Sequence, residues 1–183
     1  MKPRYKQLYT QDDISRKISE LAQAIITEHE NTSPLFIALL RGANPFASLL
    51  MFEIARQASD FHPEIAYIMI KTYGDSQTAG EPKIITDLPP STEVKERDII
   101  VVDDVLDRGI TTDFVARIMR ERGAQSVKLA VLAQKDVDCV TDITPDYCGF
   151  DCGDKWLVGM GMDDASSGNE HYRWLDEIWE IVR

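Results

Sequence analysis

The stretch Ile99-Ile-Val-Val-Asp-Asp-Val-Leu-Asp-Arg-Gly-Ile-Thr-Thr112 decides the fold of this chain. It opens with a continuous apolar run, which is typical of a strand that is buried on both faces of a sheet. After the aspartates and a glycine, apolar residues recur at helical spacing and predict a helix over residues 112–122. Gly123 is placed to end that helix in a left-handed conformation. The stretch therefore predicts a buried strand at 98–103, a tight loop and a helix.

The same alternation of strand and helix continues on both sides of this stretch. Apolar runs predict further strands at 35–40, 64–71, 84–85 and 127–133. Helical spacing predicts helices over about 10–30 and from 46 to about 59. Strands that alternate with helices form parallel sheets, so we expect an α/β fold with a mostly parallel twisted sheet flanked by helices.

The two ends of the chain depart from this pattern. Residues 156–162 predict a strand broken by glycines, and residues 175–182 predict a short amphipathic helix or a strand-like tail. We expect the N-terminal segment and residues 151–183 to form a small hood lobe over a core of about residues 32–150. The length of 183 residues favours one domain, residues 1–183.

Composition argues against several classes of function. The formal net charge of -11 disfavours a nucleic-acid binder, because phosphate backbones are held by clustered lysine and arginine. The odd number of cysteines indicates free thiols in a reducing compartment, and the histidines lack the paired spacing of a zinc site. No signal peptide is recognisable, and no stretch approaches the roughly 20 apolar residues that span a bilayer. We therefore expect a cytoplasmic protein that binds neither nucleic acid nor membrane.

The polar residues that end the predicted strand point to a phosphorylated ligand. Asp103 and Asp104 cost folding free energy there unless they bind hydroxyls or a metal ion, and ribose and Mg²⁺ both suit such a pair. Gly109 permits a tight turn, after which backbone N–H groups and the hydroxyls of Thr111 and Thr112 can hold a phosphate monoester. From these residues alone, a solvated strand end and an ordinary helix start with Thr111 or Thr112 as N-cap remain open.

The order of these residues resembles a known motif. An apolar strand, two acidic residues, two apolar residues and Asp-x-Gly-x-Thr resemble the phosphoribosyl-pyrophosphate motif of the type I phosphoribosyltransferases. Segments from about Leu35 to Arg173 narrow the resemblance to the hypoxanthine-guanine phosphoribosyltransferase branch. The resemblance implies the type I phosphoribosyltransferase fold, Mg²⁺ as cofactor, and phosphoribosyl pyrophosphate and a purine base as substrates. It also implies a homodimer or homotetramer.

The resemblance assigns roles around the phosphoribosyl group. It implies that Asp103 and Asp104 hold the ribose and Mg²⁺, and that Asp107 is the general base. The 5′-phosphate is held by a group of loop and helix residues, namely Asp107, Arg108, Gly109, Ile110, Thr111 and Thr112. Pyrophosphate is held by Leu40, Arg41, Gly42 and Arg173, and Asp163 contributes to a second Mg²⁺.

The resemblance also assigns the lid and the base-binding residues. Residues 71–80 resemble a mobile lid, with Thr72 and Tyr73 closing over the reaction. Lys135 donates to the 6-oxo group of the purine, Trp156 stacks on its ring, and the Leu157 backbone reads its edge. Judged without the family, a plain hairpin loop remains open for residues 71–80, a lone lysine is usually solvated, and a tryptophan next to Leu and Val is more often in the core.

Three positions depart from the family pattern. Arg108 stands where a threonine is common, Ala43 stands where a second glycine is common, and residues 164–168 form a longer loop. Arg108 either adds a charged contact or points outward. The sequence leaves open whether the Leu40–Arg41 peptide is cis, the oligomeric state, and the preference among hypoxanthine, guanine and xanthine.

Two other functions compete with the transferase. A receiver domain also binds Mg²⁺ through an acidic pair, but that pair follows the first strand, whereas here about 100 residues precede it. A non-catalytic relative of the same fold would bind nucleotides or RNA as a regulator. The net charge of -11 disfavours RNA, and the presence of Asp107 and Lys135 disfavours lost catalysis.

Overall fold

A computed structural model describes residues 4–72, 81–137, 141–164 and 170–182. Within these ranges strands alternate with helices through the core, and segments from both ends of the chain form a hood. In chain order the elements are β1 (Arg4–Tyr9), α1 (Gln11–Glu28), β2 (Leu35–Leu40), α2 (Asn44–Gln57), β3 (Glu64–Thr72), β4 (Pro82–Thr86), β5 (Asp98–Leu106), α3 (Ile110–Glu121), β6 (Ser126–Gln134), β7 (Tyr147–Asp151), β8 (Leu157–Val158), a short 3-10 helix (Glu170–Trp174) and β9 (Ile178–Val182).

The larger sheet has six strands in the order β4-β3-β2-β5-β6-β7. Only the β3–β4 pair is antiparallel among these neighbours, so the predicted mostly parallel sheet is confirmed. Its centre is apolar because β2 and β5 are flanked by strands on both sides and are almost fully buried. The carboxyl ends of β2, β5 and β6 consequently lie side by side at one edge.

Helices cover the sheet with their apolar stripes. α1 begins with a capping box, in which Thr10 and Asp13 satisfy each other's backbone N–H groups, and it buries Ile14, Ile18 and Ile25. α1 packs against α2 and β7, while α3 packs against β5 and β6. In the described ranges, no helix has the length and apolar composition needed to cross a membrane.

The chain termini form the second, smaller sheet. β1, β9 and β8 make a three-stranded antiparallel sheet, which is the hood expected from the fold class. Of the two alternatives for residues 175–182, the strand is present. Of the strand predicted at 156–162, only β8 (Leu157–Val158) is present, because the chain then turns through residues with left-handed backbone angles from Gly159 to Gly161.

Several predicted boundaries were wrong. β5 continues to Leu106, so Asp103 and Asp104 lie within the strand rather than at its end. α3 begins at Ile110 instead of about Thr112, and its N-cap is Gly109 rather than Thr111 or Thr112. Gly123 has a φ of 85° and ends the helix as predicted. The predictions also missed β1 and β7 entirely.

Candidate active site

The loop between β5 and α3 forms a concave cradle. The cavity measures about 190 Å³ and is lined by Thr72, Asp103 and residues 105–112. Gly109 adopts a φ of 77°, and a Cβ atom there would overlap Oγ1 of Thr141, so this N-cap position suits only glycine. The first N–H groups of α3 have no helical partner and carry the positive end of the helix dipole. The cradle can therefore hold an anion without a cationic side chain.

A hydroxyl stabilises the cradle from within. Oγ1 of Thr112 donates to the carbonyl of Gly109 at 3.1 Å and is buried. This contact fixes the first turn of α3 in place of a side-chain N-cap, which α3 lacks. Thr111 lies at the rim, where its Oγ1 is 3.3 Å from Oγ1 of Thr72, a residue of the predicted lid that forms the end of β3. The contact brings Thr72 to the site, while Tyr73 lies outside the described residues.

Two adjacent carboxylates lie beside the cradle in β5. Burial, followed by the neighbouring charge of Asp104, raises the pKa of Asp103 well above its usual range. Burial also raises the pKa of Asp104. The backbone N–H of Asp104 donates to Oδ1 of Asp103 at 3.0 Å, which leaves carboxylate oxygens for other ligands. Two adjacent carboxylates, one buried (Asp104) and one half-buried (Asp103), call for a cation or for hydroxyl donors.

The loop after β2 packs directly against this pair. A Cβ atom on Gly42 would overlap the Asp104 carboxylate, and a Cβ atom on Gly161 would overlap the Gly42 carbonyl. The bare backbone of Gly42 therefore lies close to the Asp104 carboxylate on one side and to Gly161 on the other. The Leu40–Arg41 peptide bond, which the sequence left open, is cis.

The base-binding residues converge on the other side of the cradle. Nζ of Lys135 lies 3.3 Å from Oδ2 of Asp107 and 5.1 Å from the centroid of the Trp156 ring. The side chain of Trp156 is 48% exposed, whereas Leu157 is buried. An indole with this exposure lies outside the core, so the alternative of a core tryptophan was wrong. Lys135 thus lies next to both Asp107 and Trp156.

The predicted pyrophosphate-binding arginines lie in a network of charged side chains. Arg173 is buried and pairs with Asp163 at 2.6 Å and Glu170 at 3.0 Å, and it also donates to the Gly161 carbonyl. Arg41, which is mostly exposed, pairs with the same Glu170 at 2.8 Å. We call these four charged residues, Arg41, Asp163, Glu170 and Arg173, the arginine cluster. The hydrogen bond from Arg173 lowers the pKa of Glu170.

The acidic pair has the chemistry of a Mg²⁺ site. Asp103 and Asp104 supply carboxylate oxygens, which Mg²⁺ prefers. Among the residues that the structure describes, no cluster of three or more acidic, histidine or cysteine side chains could enclose a metal ion.

Several residues around the site were not predicted from the sequence. Glu170 joins both arginines, and its spacing of three from Arg173 was a usable helical signal. The Tyr5 hydroxyl donates to the buried Asp164 carboxylate at 2.9 Å, and the Tyr5 ring stacks on Tyr172. These two contacts attach β1 to the C-terminal part of the hood. The contact between Tyr5 and Asp164 joins residues 159 positions apart, so no local sequence pattern could have predicted it.

Comparisons with known proteins identify relatives over most of the chain. The family model for the phosphoribosyl transferase domain matches residues 4–165. The hypoxanthine-guanine phosphoribosyltransferase of Bacillus subtilis is 36% identical over 174 residues, which cover 94% of this chain and 91% of that protein.

Solved structures agree with the sequence comparison. A hypoxanthine phosphoribosyltransferase from Staphylococcus aureus superposes with a TM-score of 0.86 at 25% identity, covering 97% of this chain and 91% of that one. A hypoxanthine-guanine phosphoribosyltransferase from Bacillus anthracis gives a TM-score of 0.84 at 27% identity and covers both chains completely. These matches exclude the receiver domain as an alternative.

Proposed function

The chain belongs to the phosphoribosyltransferase family, and from that premise we propose that it transfers the 5-phosphoribosyl group from phosphoribosyl pyrophosphate to a 6-oxopurine. The acceptor is hypoxanthine, guanine or both, and the products are the nucleoside monophosphate and pyrophosphate. This is a purine salvage reaction. One observation carries the proposal: the phosphate cradle, the acidic pair and the contact between Lys135 and the exposed Trp156 all lie at the same edge of the sheet.

The cradle supports binding of the 5′-phosphate. Residues 107–112 surround the cavity, and the backbone N–H groups of Ile110, Thr111 and Thr112 begin α3. A phosphate placed there gains hydrogen bonds from these donors and attraction from the helix dipole. Arg108 lines the same cavity and is exposed, so its guanidinium can add a charged contact at the rim.

The acidic pair supports binding of ribose and metal. Asp103 and Asp104 would accept hydrogen bonds from the ribose hydroxyls and hold Mg²⁺, and Asp163 would contribute to a second ion. When bound, the metal would neutralise negative charge on the pyrophosphate leaving group. The two carboxylates also place negative charge near the anomeric carbon, where positive charge develops during transfer.

The purine would bind beside Lys135 and Trp156, whose side chains lie next to each other. The indole would stack on the purine, and the Leu157 backbone would read the ring edge. The Lys135 ammonium would donate to the 6-oxo group, which the 6-amino group of adenine cannot replace as an acceptor. Selection of 6-oxopurines therefore rests on one charged hydrogen bond.

Asp107 is proposed as the general base. Displacement at the anomeric carbon by a purine ring nitrogen expels pyrophosphate and inverts the configuration, so no covalent enzyme intermediate is needed. Asp107 would take the proton from the other imidazole nitrogen as the glycosidic bond forms. Leu40, Arg41, Gly42 and Arg173 would hold the leaving pyrophosphate, and Thr72 with Tyr73 would close over the reaction to exclude water.

We also propose an oligomeric state and a location for the protein. We expect a homodimer or homotetramer in the cytoplasm. Size-exclusion chromatography with light scattering would measure the oligomeric state. Exposed apolar side chains on α2, among them Phe52 at 67% exposure, support contact with another copy. We also expect residues 1–183 to fold as one domain.

The test of function is a comparison of acceptors. Protein, Mg²⁺ and phosphoribosyl pyrophosphate are mixed with hypoxanthine, guanine, xanthine or adenine, and the ultraviolet spectrum is followed. We expect conversion of hypoxanthine or guanine and none of adenine. If no base is converted while nucleotides still bind, the second candidate, a non-catalytic nucleotide-binding regulator of the same fold, replaces the transferase.

A further inference from the structure

Glu170 connects the hood to the loop after β2. Its Oε1 accepts a hydrogen bond from Nη2 of Arg41 at 2.8 Å, and its Oε2 accepts one from Nε of Arg173 at 3.0 Å. One carboxylate therefore contacts both arginines that are assigned to pyrophosphate, although Arg41 lies 129 positions away along the chain. No role was assigned to Glu170 by the sequence or by the proposed mechanism.

The charges of the arginine cluster balance. Arg173 pairs with Asp163 as well as Glu170, so two guanidinium groups face two carboxylates. An incoming pyrophosphate group does not meet two unopposed cations here. It must replace a protein carboxylate on at least one arginine before that arginine can contribute its full attraction.

The two contacts of Glu170 differ in how easily they are replaced. The side chain of Arg173 is 10% exposed, and it keeps Asp163 and the Gly161 carbonyl as further acceptors. The side chain of Arg41 is 64% exposed, and its contact with Glu170 is open to solvent. Exposed ion pairs of this kind are weak and are readily exchanged for a stronger anion. The contact between Arg41 and Glu170 is therefore the one that a pyrophosphate group would break.

We propose that Glu170 is a positioning residue, a resident counter-anion that holds Arg41 near the site and releases it to the pyrophosphate group. The proposal rests on the proposed function, because it takes pyrophosphate as the ligand of Arg41. No covalent bond changes in the exchange. Competition from Glu170 weakens the binding of pyrophosphate and so favours its departure as a product.

The test uses the substitution Glu170→Gln. The amide oxygen can still accept from Nε of Arg173, but the negative charge that competes for Arg41 is gone. The dissociation constant of magnesium pyrophosphate, measured by calorimetry, is expected to fall by about three- to fivefold, the scale of one exposed ion pair. The KM for the purine should stay unchanged, because the substitution lies away from Lys135 and Trp156.

Glu177→Gln is the matched control. Glu177 belongs to the same lobe and accepts hydrogen bonds from the neutral donors Nε2 of Gln7 at 2.7 Å and Nε1 of Trp179 at 2.8 Å. Its substitution removes the same unit of charge from the hood without touching an arginine that is assigned to pyrophosphate. The dissociation constant of magnesium pyrophosphate should therefore stay at the wild-type value.

The outcomes separate this inference from the proposed function. Unchanged or weaker pyrophosphate binding by Glu170→Gln, in a protein that still turns over purines, overturns the role of Glu170 alone. Absence of both turnover and pyrophosphate binding in the wild-type protein overturns the proposed function itself. A wild-type crystal structure with magnesium pyrophosphate is a check that needs no variant. It should show Arg41 on the ligand and apart from Glu170, and an intact Arg41–Glu170 pair would contradict the inference.

Discussion

The phosphate cradle and the arginine cluster receive anions in two different ways. The cradle comes from one contiguous stretch, residues 107–112, and offers backbone N–H groups and hydroxyls at a helix N-terminus. The arginine cluster brings together Arg41 from the loop after β2 with Asp163, Glu170 and Arg173 from the hood. Its cations are already balanced by carboxylates.

This difference separates a rigid site from an exchangeable one. Backbone donors in the cradle are fixed by the start of α3, so they need no rearrangement when a phosphate arrives. Charged side chains in the cluster must exchange partners. A phosphate that stays on the product through the reaction suits the first arrangement, and a leaving group that must depart suits the second.

The largest predicted effect concerns the chemical step beside the cradle. Asp107→Asn should lower turnover by about 100-fold, because the variant lacks the group that accepts the purine proton. Binding of phosphoribosyl pyrophosphate should be largely retained, since the backbone donors remain. Single-turnover kinetics with hypoxanthine would measure the effect, with Asp142→Asn, an exposed carboxylate outside the site, as control. An unchanged turnover number would remove Asp107 from this role.

A smaller effect is expected when the shape of the cradle is broken. Gly109→Ala should raise the KM for phosphoribosyl pyrophosphate by about tenfold, because a positive φ costs about 1–2 kcal/mol and the added Cβ overlaps Thr141. Gly123→Ala shares the positive φ but lies at the far end of α3. It should lower the melting temperature in scanning calorimetry without changing that KM. Equal KM changes in both variants would show that the cradle geometry is not involved.

The cradle could be predicted from sequence because its determinants are adjacent. An apolar strand, acidic residues, a glycine and two threonines appear in order, and each constrains the backbone locally. The boundaries were still displaced. Asp103 and Asp104 extend the strand because β5 keeps pairing with β6 through Leu106, and pairing between strands is not visible in local propensity.

The hood and the arginine cluster were less predictable for a physical reason. β1 pairs with β9, which joins the two ends of the chain, and local patterns carry no information about that register. The family resemblance supplied Arg41 and Arg173 individually. It did not reveal that Glu170 bridges them, because the contact depends on how the hood lies over the loop after β2.

The two regions should also respond oppositely to pH. The pKa of Asp103 is raised in the folded state, so its contribution to stability is present below the unfolded pKa near 4 and is lost as the pH rises. Asp103→Asn should therefore raise the free energy of unfolding at pH 7 in metal-free buffer. The pKa of Glu170 is lowered, so its contribution is present at neutral pH and is lost on acidification.

Urea denaturation across pH 3 to 8 would measure both trends. The Asp103→Asn curve should lie above the wild-type curve at neutral pH and approach it in acid. The Glu170→Gln curve should differ in the opposite way, falling below the wild-type curve at neutral pH. Parallel curves for all three proteins would contradict the assigned electrostatics.

The smallest predicted effect tests whether the cradle needs a side-chain cation. Arg108→Thr places the residue that is common in the family at this position, and it should raise the KM for phosphoribosyl pyrophosphate by only about two- to threefold. The guanidinium is exposed, so its attraction is screened by solvent and salt. Steady-state kinetics at two salt concentrations would check this. A rise of a hundredfold would show that the cradle depends on Arg108 and not on its backbone.

The most direct test of the account is a crystal structure with inosine 5′-monophosphate and Mg²⁺. We expect the phosphate at the N-terminus of α3, on the backbone N–H groups of residues 110–112, and the purine against the Trp156 ring with its 6-oxo group near Nζ of Lys135. A phosphate bound at Arg41 and Arg173 instead, or a purine away from the Trp156 ring, would contradict the assignment of both regions.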